Sequence, residues 1–355
     1  MKSKMLLLKP NIYLIILILT LLKIFFSTTF SYAESFNIEN IEISKKFNMN
    51  FQKTDVLNAG FKIAYQNLIS NITKSDDQNR LKDLSLSNIK TTIDSFSIKE
   101  EKFIDNIYYV NLDVTFNKKK IYSLLEKKNI FPSQPKKKKI LFIPLIIEES
   151  KKNLMLFSEN IFYKNWIIDD GGKNQLTYVL PTEDLDDIQI IKSNYDILEE
   201  YDFKEIVNKY SLDNYIISLI YKNNDDLRIL SKIKLSDRMV LDNRVFQNFK
   251  IENLTDTIHK LKIIYEDYWK NENQINTSIK LPLTIAIDIR NDKKIKDFEN
   301  TIKKFDLVSS FFVSKLDNMK VHYKVIFNGT PKMFILEMQR SGHNLDIKNK
   351  IWILK

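Results

Sequence analysis

Cysteine is absent from this 355-residue chain. That one absence removes disulfide staples, thiolate metal sites, a cysteine nucleophile and a lipid-modified N-terminal cysteine together. Whatever holds the fold must therefore be burial, which suits a long chain better than a small domain. Glycine is nearly as scarce. Gly60, Gly171, Gly172, Gly329 and Gly342 are the whole set, too scattered for a phosphate-cradling loop or a dinucleotide fingerprint, both of which need several glycines close together. Three histidines, His259, His322 and His343, stand far apart with no His-Glu-x-x-His pair, so no familiar zinc spacing is present. No serine sits in a nucleophile-elbow pattern, and no Ser-x-x-Lys has its companion motifs. The sequence thus predicts no cofactor and no metal.

Long apolar runs are missing too, apart from one at the start. Lys2, Lys4 and Lys9 precede the run Ile12 to Leu22, and the small residues Ser31 and Ala33 precede Glu34. This charged, apolar, small-residue order is that of a secretory signal peptide, with cleavage expected between Ala33 and Glu34. Lys23 interrupts the run before it reaches the ~20 residues of a membrane-spanning helix. Ile24 to Phe26 and Phe30 extend the apolar character, so an uncleaved anchor is the competing reading. Either way, the rest of the chain is expected outside the cytoplasm, periplasmic or held at the inner membrane. The net charge is +10, and removing the four lysines of residues 1–33 leaves 51 basic against 45 acidic side chains. The abundance of Lys, Asn and Ile throughout matches an AT-rich coding sequence, which accounts for so mild an excess, and no nucleic-acid partner is expected.

Apolar spacing divides the remainder. A helix is predicted from an N-cap at Thr54, with Leu57, Phe61, Ala64, Leu68 and Ile72 on one face. A short helix near Ser87 to Ile93 follows, then two strands joined by a turn at Asp105-Asn106, the second alternating Tyr108, Val110, Leu112, Val114 and Phe116. Asn117 caps a helix carrying Ile121, Leu124 and Leu125, which completes an α+β unit over 34–130. Pro132, Pro135 and Lys136 to Lys139 mark 131–139 as a solvated linker.

The continuous apolar run Ile140 to Ile147 reads as a buried central strand. It opens a middle α/β unit, 140–278. There the pattern predicts a helix over Leu154 to Trp166, a turn at Asp169-Asp170-Gly171-Gly172, and a strand Leu176 to Leu180. More helix follows to about Tyr210, then three strands (Tyr215 to Tyr221, Leu227 to Leu235, Met239 to Ile251), then a helix from Asn253 to Asn273. Such an order implies a mixed sheet packed by helices.

Residues 279–355 show β-α-β-β-α-β order, with Thr330 and Pro331 starting the last helix and Gly342 ending it. That is the split arrangement of a separable ferredoxin-like domain. The fold class is therefore multi-domain, mixed α/β or α+β.

Several of these segments together resemble the domain-of-unknown-function family 2066 of exported proteobacterial proteins: the helix with Ala59, Ala64, Leu68 and Ile72, the strand Val110 to Phe116, the helix Ile121 to Leu125, Pro181-Thr182-Glu183-Asp184, and Gly329 and Gly342. The resemblance implies an envelope location and supplies no catalytic residues. More loosely, the middle unit is similar in element order to the N-terminal domain of the periplasmic Tol-system protein B and to flagellar assembly proteins, an analogy of fold alone.

The densest chemistry is Glu183, Asp184, Asp186 and Asp187. A carboxylate pair at a strand end is one reading, the basis of a hydrolase. Acids in the first turn of a helix capped by Thr182 are the other and the favoured one. Asp169 and Asp170 lack the further ligands of a calcium loop. Phe157, Phe162, Tyr163 and Trp166 fall at helical spacing and are expected in the core. Lys136, Lys137, Lys138 and Lys139 offer weak contact with a membrane surface or another polyanion. The sequence thus favours an exported, non-catalytic binding or assembly module for an envelope protein or polymer. A hydrolase using Glu183, Asp184 and Asp187 is one alternative, and a membrane-tethered scaffold with its anchor retained is the other.

Overall fold

A bulge disguises the first strand. In β1 (Asn37–Lys46) the register slips between Ile38 and Ile41, with Asn40 at a φ of 57°, so the apolar positions lose their alternation and the strand escapes a period-two pattern. The computed structural model describes residues 36–167, 174–223 and 225–355. Ala33, Glu34 and the rest of the signal segment lie outside the described residues, as does the Asp169 to Gly172 turn.

Helix α1 (Lys53–Ile72) follows. Its cap is Gln52, without a side-chain hydrogen bond, and Thr54 lies inside the first turn. Phe61, Ala64, Leu68 and Ile72 are buried as the spacing predicted. Gly60 sets how closely the helix lies on the sheet, because a Cβ there would stand 2.6 Å from both Ile43 Cδ1 and Leu112 Cδ1. After α2 (Ser75–Gln78), α3 (Leu86–Thr92) is capped by Ser85. Strands β2 (Ile93–Ile104) and β3 (Ile107–Phe116) form a hairpin. Its turn residues, Asp105 and Asn106, both hold positive φ, 49° and 59°, the conformation that matches strand twist in a two-residue loop. The order is β1-β3-β2. Helix α4 (Lys118–Lys127) starts where the Asn117 side chain accepts from the Lys120 N–H, as predicted.

Residues 131–134 are not part of a solvated linker. They pair with the chain leaving the middle unit: Ser133 bridges Gln274, Gln134 N–H donates to the Asn273 carbonyl at 3.0 Å, and Ile275 N–H donates to the Pro132 carbonyl at 2.7 Å. Lys138 and Lys139 already belong to β4 (Lys138–Glu148). Entry and exit thus run side by side as a neck. Their backbone polar groups find partners in each other, which overrides the proline and lysine signals that marked a loop.

The middle sheet is mixed, in the order β5-β4-β7-β8-β9, with β6 sharing an edge of β4. It is built from β4, β5 (Asn153–Met155), β6 (Leu176–Val179), β7 (Tyr215–Asn223), β8 (Asp226–Leu235) and β9 (Arg238–Phe246). The helix predicted over 154–166 is absent. Lys152 turns the chain through the left-handed region, φ 47°, so that Leu154 pairs with Ile147. Asn160 then starts a new short helix, α5 (Ile161–Asn165), by accepting from Phe162 and Tyr163 N–H while donating to the Pro144 carbonyl. One buried asparagine here outweighs helical periodicity.

Strand β4 is buried on both faces. One face meets α5 and α8 (Leu254–Glu272) through Phe142, Trp166, Ile216 and Tyr265. The other meets α6 (Leu185–Ser193) and α7 (Lys204–Asn208) through Leu141, Ile217, Ile191 and Ile206. Within the first core lies a group of hydroxyls: Tyr265 Oη stands 2.7 Å from Ser218 Oγ and 2.8 Å from Ser231 Oγ.

The last part comprises β10 (Leu281–Asp288), α9 (Asp292–Lys304), β11 (Val308–Leu316), β12 (Lys320–Phe327), α10 (Pro331–Arg340), β13 (Leu345–Asp346) and β14 (Trp352–Leu354). Thr330 caps α10 with Pro331 in its first turn, and Gly342 takes a φ of 80° beyond its end. The order β11-β12-β10-β14 is that of a split βαβ sheet. One strand departs from it. A βαβ return from β12 would run parallel to β12 and hence antiparallel to β10, yet β14 is parallel to β10. The chain first makes β13, then reverses and inserts β14 between β13 and β10.

Nor is the core of 279–355 its own. Ile285, Phe298, Val325 and Phe334 are continuous with Leu68, Leu112 and Ile121 of the first unit. Lys118 to Asp306, 2.7 Å, and Lys280 to Glu126, 2.9 Å, join the two across the surface. The first and last units are one body, with the middle unit inserted through the neck. No described helix is long and apolar enough to cross a membrane.

Candidate functional site

The acidic cluster follows β6 and opens α6, where the sequence placed it, but its parts do separate jobs. The cap is Asp184 rather than Thr182: its carboxylate accepts from the Asp186 N–H at 2.8 Å, the donor a helix start leaves unsatisfied. Thr182 is held instead by the Tyr210 hydroxyl. Asp187 is completely buried and accepts from Lys209 Nζ at 2.5 Å, and the same ammonium reaches Asp184 at 3.3 Å. These two carboxylates hold Lys209 well above the usual lysine range, Asp187 contributing most. Glu183 accepts from Ser158. The sequence's Glu183, Asp184 and Asp187 are thus close in space, as one exposed contact, one cap and one ion pair between a buried carboxylate and a partly exposed lysine. An anchor between α6 and α7 is what this geometry makes.

Two of the histidines are similarly engaged. His322 pairs with Asp317 at 2.9 Å and His343 with the Thr301 hydroxyl at 3.0 Å. Among the described residues no three His, Cys, Asp or Glu side chains converge as metal ligands would. The lysine run divides: Lys137 and Lys139 are exposed, while Lys136 and Lys138 are half-buried. The aromatic residues Phe157, Phe162 and Trp166 are core, as expected.

The surface that stands out was not singled out by sequence. Strand β2 is an edge strand, and beyond Ile93 every one of its residues is exposed. Phe96, Ile98 and Phe103 pair opposite Val114, Leu112 and Tyr108, so they lie on the face of the sheet that carries the core. Helix α1 packs on β1 and β3 and stops short of them. Phe61 reaches across, 5.0 Å from the Phe96 ring, and Lys53 at the start of the helix reaches Glu101. The apolar face of the sheet therefore continues past its helical cover, with Phe96 47% and Phe103 56% exposed. Phe47, itself exposed, extends it against Phe103 with ring centroids 5.0 Å apart.

Glu101 sits within this stripe, held by Lys53 at 2.8 Å and by the Tyr108 hydroxyl at 2.9 Å. The lysine bond comes first among the causes that keep its carboxyl below the usual range. The signal for this surface was present in the sequence as the alternation Phe96, Ile98 in an otherwise polar strand. A second bulge, between Ile98 and Glu100, shifts Phe103 out of that phase. An unpaired strand edge beside an open apolar face can take up a further strand or a helix, with backbone groups supplying affinity and side-chain contacts supplying selectivity. No protein-family model matches the chain, and no curated protein matches it.

Proposed function

We propose that this chain is an exported envelope protein that binds another protein without catalysing a reaction, and that β2 is where it docks. One observation carries the reading: the core face of the first sheet runs out from under α1 and leaves Phe96, Ile98 and Phe103 uncovered beside a free strand edge. Covering a half-exposed side chain of this size stabilises a complex by about 1 kcal/mol each. A large apolar patch on an unpartnered protein marks an interaction site. The envelope address rests on the order of residues in 1–33 and on the resemblance to the exported family named above. The engagement of Asp184 as a cap and of Asp187 in an ion pair favours binding over the hydrolase reading of the carboxylates at 183–187.

The reading is tested by placing a photo-crosslinking amino acid at Ile98, and separately at the exposed Lys119 on the far side of α4, in the cells that make the protein. Position 98 should give a discrete heavier adduct that Phe103→Asp abolishes, and position 119 should not. A folded protein with no adduct from position 98 removes the basis for the proposal.

A further inference from the structure

Away from β2, the first unit, the neck and α10 meet around a cleft of about 260 Å³. Among the described residues Lys118, Lys136, Lys304 and Arg340 line it against two carboxylates, Asp306 and Glu337. Lys118 is matched, its Nζ 2.7 Å from Asp306. Lys136 is not: it makes no ion pair with any described carboxylate, and burial, with Arg340 nearby, holds its ammonium below the usual lysine range. Its backbone is fixed all the same, because the Trp269 indole donates to its carbonyl at 2.7 Å. Glu337 is half-buried, and among the described residues its carboxyl has no hydrogen-bond partner. Burial first, then Asp306, raise it to about 7 against the opposing pull of Arg340 and Lys118.

A half-buried ammonium without a counter-charge and a carboxyl driven to shed its charge are each unfavourable in the free fold. One ligand relieves both. We propose that this cleft binds a phosphate group, seated against Lys136 and Arg340. An oxyanion there supplies Lys136 with its missing counter-charge, and Glu337 in its acid form donates a hydrogen bond to it rather than repelling it. Size limits the ligand: pockets for drug-sized molecules run from about 300 to 1,000 Å³, so this one has room for a phosphate and a few waters. The group is either free or the exposed end of something larger, such as a lipid headgroup. The groups facing Glu337 are Lys118 and Tyr122 from α4, Lys136 from the neck, Lys304 and Asp306 from the end of α9, and Arg340 from its own helix. None of these has an ordinary titration near neutrality, so the pH dependence of binding belongs to Glu337.

Calorimetric titration of the chain with inorganic phosphate at pH 7 should show saturable binding that Lys136→Gln weakens at least tenfold. Lys137→Gln, at the exposed neighbour, should change nothing. Sulfate keeps its charge from pH 5.5 to 8.5, so it reads the protein alone: it should bind several-fold tighter at the lower pH, and Glu337→Gln should remove the difference. Cosedimentation with phosphatidylglycerol vesicles, against phosphatidylcholine, separates the sources. Retention that depends on Lys136 identifies a headgroup, and phosphate binding without retention identifies a soluble phosphate. Should Lys136→Gln lose its native circular dichroism, Lys136→Met keeps the apolar stem and is used instead. The proposal is overturned if phosphate does not saturate and vesicles are not retained, or if removing the Lys136 charge leaves binding unchanged.

Discussion

Tyr265 is completely buried between the middle sheet and α8, and its hydroxyl is the hub of a three-member group with Ser218 and Ser231. Burial pushes that hydroxyl up to about 12, so it remains a neutral donor at any working pH. Tyr265→Phe removes one oxygen and no packing volume. It loses bonds of 2.7 and 2.8 Å but leaves the two serines 3.3 Å apart, able to satisfy each other. At about 0.5–1.5 kcal/mol net per bond, and with that partial repair, the cost should be about 1–2 kcal/mol. Ser218→Ala and Ser231→Ala alone should each cost roughly 1 kcal/mol. The triple variant should cost no more than Tyr265→Phe alone, because it leaves no buried hydroxyl without a partner. The assay is urea unfolding followed by tryptophan fluorescence, since Trp166 lies 6.1 Å from the Tyr265 ring and reports on this core. If the three single costs simply add in the triple variant, the hydroxyls act independently and the argument for a mutually satisfied group fails.

Glu337 makes the fold pH-dependent even without a ligand. Its folded value of about 7 stands above the ordinary 4.5, so its contribution is full below 4.5 and is lost as pH rises through 7, on the order of 3 kcal/mol in all. Glu337→Gln should flatten the stability profile between pH 5 and pH 8, and an unchanged slope in that variant would assign the effect elsewhere. Lys232→Met should cost roughly 1–3 kcal/mol, because the buried ammonium donates to the carbonyls of Leu198 and Tyr201 and a thioether cannot. Thermal melting of the two proteins side by side measures it, and a variant as stable as the parent would show those carbonyls to be solvated.

How much was legible depended on whether local and tertiary preferences agreed. The Asp105-Asn106 turn, the Asn117 and Thr330 caps and the doubly buried strand from Ile140 were all readable, because each is decided by residues adjacent in sequence. The helix expected over 154–166 failed where a tertiary bond intervened, Asn160 reaching the Pro144 carbonyl and restarting the chain. Strand β1 and the Phe103 end of β2 were hidden by bulges, which break the period that reveals strands. The acidic cluster was found but its cap misassigned by two residues, since Thr182 and Asp184 both have side chains suited to the task. The cleft was invisible for a different reason. Lys118, Lys136 and Glu337 lie on three segments far apart in sequence, and nothing local distinguishes Lys136 from the lysines beside it.

The neck has a consequence in time. A chain emerges N-terminus first, so the first unit appears with its apolar face incomplete and must await β10 to β14, about 150 residues later. At 5–20 residues per second that wait is roughly 8–30 s. The middle unit, by contrast, has both its cores within 140–269 and can close while the first unit is still open. Its closure brings residues 131–134 and 273–275 together, which delivers the last unit to the place where the first is waiting. The inserted unit thereby acts as an internal clasp that turns a distant encounter into a local one. Premature pairing between half-made chains, through the very faces left open in the interval, is the failure such a clasp guards against.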